Sequence, residues 1–158
     1  MLFRSDLPWS LEVVGEGPAR RDVESALAPL YERVTWMGSL DHEAVAERLA
    51  LADLFVWPAC NEAFGMALLE AQASGLPVVA GASGGVGEIV IPEVTGLLVA
   101  PGDAVAFAAA VRSLMLDHGR RSAFGKAARE RVFLEHDLPV AARRLGGVIN
   151  ALGRTRHP

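Results

Sequence analysis

Short apolar runs alternate with amphipathic helical segments along this sequence, and that alternation constrains the fold more than any other feature. Five short apolar runs, each closed by a nearby glycine or proline, are typical of buried strands. They are Leu11–Val14, Val34–Met37, Leu54–Trp57, Pro77–Ala80 and Leu97–Val99. Between them, apolar residues recur at helical spacing. The pattern predicts a three-layer α/β fold whose mostly parallel sheet of about five strands has helices on both faces.

Local signals predict where several of the helices begin and end. Asp41 and Asp103 each precede an apolar helical pattern, so both are predicted N-caps. One helix is expected from about Phe64 to Ser74, where Gly75 and a following proline stop it.

Composition excludes several classes of function. The chain has 158 residues and a net charge of -4, which argues against nucleic acid as a partner. Its one cysteine, Cys60, excludes a disulfide framework and predicts a cytoplasmic location. The four histidines are scattered, so the sequence indicates no metal site, and no apolar run approaches the roughly 18 residues of a membrane span.

The stretch NEAFGMALLE carries the strongest functional signal. If a helix begins near Phe64, the amides of Phe64, Gly65 and Met66 lack intrahelical partners and attract an anion, phosphate above all. The ionised carboxylates of Glu62 and Glu70 accept hydrogen bonds, which suits sugar hydroxyls and a ribose diol. Together these groups describe a site for a nucleotide sugar.

A purely structural interpretation fits the same residues. Glu62 would then only favour the positive end of the helix, and Glu70 would be a solvated helix residue. Similarly, SGGVGE (residues 83–88) fits either a ligand loop or a tight turn that starts a helix, and Trp57 is predicted to be a core residue. Spacing alone leaves these alternatives open.

The segment PACNEAFGMALLEAQASGLPVVAGASGGVGEIV, followed by TGLLVAPGDAVAFAAAVRSLMLD, resembles the C-terminal, donor-binding domain of the family-4 retaining glycosyltransferases. Those enzymes have the GT-B fold, in which two Rossmann-like domains face each other across a cleft. Their pattern is a glutamate, seven residues and a second glutamate, with Phe-Gly after the first. Here the glutamates are Glu62 and Glu70, and the resemblance runs from Leu11 to about Leu145.

The resemblance implies a role for each matching residue. Glu62 is implied to be catalytic and to contact the donor sugar near the reacting centre. The amides around Phe64, Gly65 and Met66 are implied to hold the sugar and the diphosphate, and Glu70 is implied to bind the ribose hydroxyls.

The resemblance also implies the kind of ligand. Met37 and Gly38 are implied to line the pocket for the base of a UDP- or GDP-linked hexose. Members of the family generally need no metal for catalysis, so no cofactor is expected.

Compared with the family, the sequence lacks the N-terminal acceptor domain and the first strand–loop–helix unit of the donor domain, which carries the basic residues that grip the diphosphate. The expected organisation is an N-terminal remnant at 1–10, a Rossmann-like domain at 11–152 and a frayed tail at 153–158. The strand at Leu11 is then expected beside the strand at Leu54, with a ladder between Val13 and Phe55 and the strand order 2-1-3-4-5. The alternative is that the first residues or a second copy fill the gap, the latter giving a homodimer.

These features predict the donor-binding half of a retaining hexosyltransferase that is inactive as the isolated chain. Two alternatives stay open: a non-catalytic nucleotide-binding or interaction module, and a fragment related to sugar-nucleotide epimerases.

Overall fold

In the computed structural model of the chain, which describes residues 7–154, parallel strands alternate with helices as predicted. The strands are β1 (Leu11–Val14), β2 (Val34–Gly38), β3 (Phe55–Trp57), β4 (Val78–Gly81) and β5 (Gly96–Val99). The helices are α1 (Arg20–Leu27), α2 (His42–Leu51), α3 (Met66–Ala73), α4 (Val86–Ile89), α5 (Ala104–Leu116), α6 (His118–Glu135) and α7 (Leu138–Arg154). A 3₁₀ helix, Ala28–Arg33, follows α1. Each predicted strand is present to within one residue at either end.

The described residues form two compact units, the first ending at Leu51 and the second beginning at Ala52. In the first unit, β1 and β2 pair in parallel; in the second, β3, β4 and β5 form a parallel sheet in that order. The predicted α/β fold with parallel strands is therefore confirmed, but the predicted ladder between Val13 and Phe55 is wrong. Val13 pairs with Trp36, and Phe55 pairs with Val78.

The physical reason lies in the exposure of the strand edges. The predicted ladder assumed that unpaired edges would be buried, at a cost of about 1–3 kcal/mol for each orphaned group. Neither β1 nor β3 contains a fully buried residue, and β1 alternates between half-buried and exposed positions. Edge groups at such positions can hydrogen-bond to water, so leaving them unpaired carries no such cost. Of the five strands only β4 is buried throughout, so the expectation that all of them are covered on both faces is also wrong.

The hydrophobic core lies in the second unit. Within residues 7–151, every fully buried apolar side chain falls between Ala59 and Ala128, with β4 and helices α3 to α6 supplying most of them. Helix α6 closely approaches the turn that ends α3: a Cβ on Gly125 would lie 2.1 Å from the carbonyl oxygen of Gly75, two residues after the helix. The packing of α3 against α6 therefore depends on the absence of a side chain there.

A buried polar network fixes the position of α3. The side-chain amide of Gln72 donates to Oγ1 of Thr95 at 3.1 Å, and the backbone N–H of Ile91 donates to the same oxygen at 2.9 Å. Gln72 and Thr95 are both buried and Ile91 is half-buried, so the hydroxyl oxygen satisfies one buried donor and one partly buried donor. This network ties α3 to the segment that leads into β5.

Both predicted aspartate caps are confirmed. Asp41 accepts from the N–H of Ala44 and Asp103 accepts from the N–H of Ala106, each at 2.9 Å. Helix α1 ends at Leu27, because Pro29 in the following segment cannot donate a helical hydrogen bond, and the chain continues there as the 3₁₀ helix.

Helix α7 has an exposed apolar side. Its residues Leu138, Leu145, Val148 and Ile149 are all exposed, and they recur at helical spacing. The expected tail at 153–158 is helical as far as Arg154, and its remainder, like residues 1–6 of the expected remnant, lies outside the described residues. No helix in the described part of the chain is long and apolar enough to cross a membrane.

We expect Thr95→Val to destabilise the second unit by about 2–4 kcal/mol. The substitution keeps the shape of the side chain but removes the acceptor of the buried Gln72 amide and of the half-buried Ile91 N–H, at up to about 1–3 kcal/mol each. Urea unfolding followed by circular dichroism measures the loss. The matched control is Thr35→Val at an exposed position of β2, which should change stability by no more than about 0.5 kcal/mol. A loss below about 1 kcal/mol for Thr95→Val would contradict the role of this network.

Candidate functional site

The loop at residues 58–65, here called the site loop, connects β3 to α3. It ends at Gly65, which is the N-cap of α3 and has a left-handed backbone with φ of 92°. A left-handed residue cannot belong to an α-helix, so α3 begins at Met66, two residues after the predicted start near Phe64. A side chain at position 65 would also clash, since a Cβ there would lie 2.7 Å from Cδ1 of Leu68.

The free amides predicted for this helix start are nevertheless present. Helical bonding begins with Leu68 and Leu69, whose N–H groups donate to the carbonyl oxygen of Gly65 at 3.0 and 3.3 Å. Within residues 7–154, the amides of Phe64, Gly65 and Met66 have no hydrogen-bond partner. Three donors therefore remain at the positive end of α3, where an anion is stabilised.

Large apolar side chains stand beside these amides. Phe64 is 45% exposed and Met66 is 59% exposed, although both follow a strand that leads into the core. Exposed aromatic and thioether side chains next to free backbone donors suit a ligand with both polar and apolar parts.

Glu62 is half-buried within the site loop and is held there by Trp57. The indole N–H of Trp57 donates to Oε2 of Glu62 at 3.1 Å. A cavity of about 310 Å³ opens beside this pair. Its lining residues all come from the end of β3 and the site loop: Trp57, Pro58, Ala59, Cys60, Asn61 and Glu62. The prediction that Trp57 is a core residue is wrong, since its indole is half-buried and faces the site.

The segment at residues 81–85, which runs from the last residue of β4 toward α4, packs against the backbone of the site loop. A Cβ on Gly84 would lie 1.9 Å from the carbonyl oxygen of Glu62, and one on Gly81 would lie 2.2 Å from that of Ala59. Ser83 adds a hydrogen bond from its Oγ to the carbonyl oxygen of Cys60 at 2.8 Å. These glycines pack backbone against backbone, and the segment then enters α4, so SGGVGE forms a tight turn that starts a helix.

The remaining predicted site residues lie on other elements. Glu70 is half-buried on α3, and its carbonyl oxygen accepts from the hydroxyl of Ser74 at 3.0 Å. Met37 and Gly38 end β2 in the first unit. There Gly38 has φ of 66°, and its carbonyl oxygen accepts from the N–H of Gly15 at 2.8 Å.

Two contributors to the site were missed by the sequence analysis. Trp57 gives no signal, because a tryptophan on a short apolar strand is equally typical of a core position. Gly84 gives a partial signal, because consecutive glycines indicate a tight turn or a close backbone approach. The sequence could not say which backbone approaches it.

Comparison with known proteins is consistent with this geometry. The sequence model of the family described as "Glycosyl transferases group 1" matches residues 2–131. A GDP-mannose-dependent monoacylated alpha-(1-6)-phosphatidylinositol monomannoside mannosyltransferase of Corynebacterium glutamicum is 33% identical over 148 residues, which cover 89% of this chain and 39% of that protein.

Two solved structures share the fold. Sucrose-phosphate synthase from Thermosynechococcus elongatus superposes with a TM-score of 0.84 and 37% identity, over 92% of this chain and 39% of that one. Anabaena HepE in complex with UDP-glucose superposes with a TM-score of 0.80 and 22% identity, over 90% of this chain and 41% of that one. This chain therefore spans about two-fifths of the length of each of these proteins.

We expect Gly84→Ala to destabilise the protein and to displace the site loop. The added methyl group would overlap the backbone of Glu62, and the left-handed φ of 54° adds strain for any residue with a Cβ. Thermal unfolding should show a lower Tm. Gly87→Ala is the matched control, because nothing lies within 4 Å of its Cβ position in α4 and alanine favours a helix by up to about 1 kcal/mol. Equal effects of the two substitutions would contradict the supporting role of Gly84.

Proposed function

Because the chain belongs to the group 1 glycosyl transferases, we propose that it is the donor-binding half of a retaining transferase that moves a hexose from a nucleoside diphosphate sugar to an acceptor. The observation that carries the proposal is the set of unpartnered amides at Phe64, Gly65 and Met66 next to the carboxylate of Glu62. One end of this set suits a diphosphate, and the other suits the sugar attached to it.

The diphosphate is assigned to the start of α3. Backbone N–H groups at a helix N-terminus bind phosphate oxygens, and the helix dipole adds a favourable positive potential. Only glycine fits at position 65, because the side chains of Leu68 and Glu62 occupy the space that a side chain would fill.

The hexose is assigned to the cavity next to Glu62. Cleavage of the bond between the sugar and the diphosphate leaves positive charge on the anomeric carbon, so a fixed carboxylate nearby stabilises the transition state. Glu62 would also accept hydrogen bonds from sugar hydroxyls. These two roles make Glu62 the proposed catalytic residue of this half of the site.

The nucleoside is assigned to residues outside the site loop. Glu70 would accept hydrogen bonds from the ribose hydroxyls, and the assignment of the base to Met37 and Gly38 stays a prediction. The relative from Corynebacterium glutamicum is named for its use of GDP-mannose, and HepE was solved with UDP-glucose, so both bases are candidates here.

Acceptor binding is assigned to protein outside this chain. The chain spans about two-fifths of the relatives described above, and catalysis needs donor and acceptor held together. We also infer a cytoplasmic location, because the single cysteine is exposed and unpaired within the described residues.

We expect the 158-residue chain to bind a nucleoside diphosphate sugar with a Kd of about 1 mM, or about -4 kcal/mol. Its net charge of -4 opposes the anionic ligand, while the amides and the helix dipole favour it. Calorimetric titration with UDP, UDP-glucose, GDP and GDP-mannose tests this. Failure of all four ligands to bind at concentrations up to about 10 mM would refute the proposed function.

We expect Glu70→Ala to weaken the binding of UDP or GDP by about tenfold, because a carboxylate that accepts from two ribose hydroxyls is lost. Inorganic pyrophosphate lacks a ribose, so its affinity should not change. The matched control is Glu130→Ala on the exposed side of α6, which should affect neither ligand. An equal loss for nucleotide and pyrophosphate would contradict the ribose assignment.

We expect no acceptor-dependent sugar transfer by the purified chain, since positioning of the two reactants contributes on the order of 7–11 kcal/mol to such catalysis. Incubation with radiolabelled UDP-glucose or GDP-mannose and short-chain glucosides, mannosides or phosphatidylinositol, followed by product separation, measures transfer. Turnover that depends on an added acceptor would show that both halves of the site lie in this chain.

A further inference from the structure

The indole of Trp57 and the carboxylate of Glu62 form a closed local arrangement at the start of the site loop. Trp57 is the last residue of β3, and its Nε1–H donates to Oε2 of Glu62 at 3.1 Å. The loop turns sharply between them, because the N–H of Ala59 donates to the carbonyl oxygen of Trp57 at 2.7 Å. The hydrogen bond therefore determines where the side chain of Glu62 lies.

The donor in this arrangement is itself held in place. The ring of Phe55, two residues earlier on the same face of β3, stacks on the indole with centroids 6.0 Å apart and planes 16° apart. The backbone of Trp57 pairs with Ala80 on the buried strand β4. The indole N–H therefore belongs to a residue whose backbone is fixed in the β-sheet and not to a loop residue.

The second oxygen of the carboxylate is left available. Within residues 7–154, Oε1 of Glu62 has no hydrogen-bond partner, while the residue lines the cavity. A carboxylate with one oxygen held by the protein offers the other to a ligand hydroxyl in a defined direction.

We infer that Trp57 is a positioning residue that acts through Glu62 and sets the contact between its carboxylate and the donor sugar. The inference rests on the proposed function, in which Glu62 meets the sugar. A glutamate side chain has three rotatable bonds, and ordering it when the ligand binds costs free energy. The indole hydrogen bond orders the side chain of Glu62 before the ligand binds. The affinity for the sugar part of the ligand therefore increases, and the affinity for the nucleotide part does not.

Trp57→Phe tests this step, because phenylalanine keeps an aromatic ring beside Phe55 and removes the N–H donor together with the rest of the five-membered ring. In calorimetry with the nucleotide sugar that the chain binds, affinity should fall about three- to tenfold, while affinity for the nucleoside diphosphate should change less than about twofold. Trp9→Phe is the matched control and should change the affinity for neither ligand. Trp9 lies in the first unit, where the guanidinium carbon of Arg33 stacks 4.9 Å from the centroid of the Trp9 ring. Equal weakening of both ligands by Trp57→Phe would overturn the inference.

A double-mutant cycle separates positioning from general damage to the loop. In a Glu62→Ala background, Trp57→Phe should cause no further loss of affinity for the nucleotide sugar, because its effect passes through the missing carboxylate. A full additional loss in that background would show that Trp57 acts by another route.

A measurement without ligand keeps this inference distinct from the proposed function. The Nε1–H resonance of Trp57, assigned by its loss in Trp57→Phe, should shift in Glu62→Gln because a neutral amide is a weaker acceptor than a carboxylate. The resonances of Trp9 and Trp36 should stay in place. If no nucleotide sugar binds, the proposed function fails and with it the sugar contact assigned to Trp57. A Trp57 resonance that does not move overturns the positioning of Glu62 even where nucleotide sugars bind.

Discussion

The site depends on a contact between two backbones, in which residues 81–85 lie directly behind the loop that carries Glu62. The contact is close enough that a single methyl group on Gly84 would overlap the carbonyl oxygen of Glu62. A side chain can adopt another rotamer to relieve such an overlap, but a backbone pair can only separate. The contact therefore fixes the backbone of the site loop at Glu62, from which its side chain reaches the indole of Trp57.

The start of α3 also depends on a residue without a side chain, Gly65. Gly65 has the left-handed backbone that turns the chain into the helix, and that turn leaves three amides without partners at the positive end of the dipole. The C-terminal end of α3 is fixed by the hydrogen bond from Gln72 to Thr95. It is also fixed by the contact of Gly125 in α6 with the backbone of Gly75, just after the helix. The helix is thus anchored at its C-terminal end, while amides at its N-terminal end remain without partners within the described residues.

Much of the secondary structure could be predicted because its signals are local. The strand at Leu11 and the caps at Asp41 and Asp103 depend on residues within a turn or two of each other, and the structure confirms them. The pairing of strands is not local. The ladder between Val13 and Phe55 was expected on the ground that both edges would be buried, and exposure depends on the whole tertiary arrangement.

The sequence by itself determined the alternation of strands and helices, the family, and the motif that contains Glu62, Phe64 and Gly65. Each of these features depends only on residues that are close together along the chain. Only the tertiary structure decided that the strands form two sheets, that Gly84 lies behind Glu62 and that the indole of Trp57 holds its carboxylate. Gly84 is distant along the chain, and Trp57 is separated from Glu62 by a loop whose path no local preference specifies. Contacts of this kind exist only after the backbone has folded back on itself, and for that reason the orientation of the candidate catalytic group could not be read from the order of the residues.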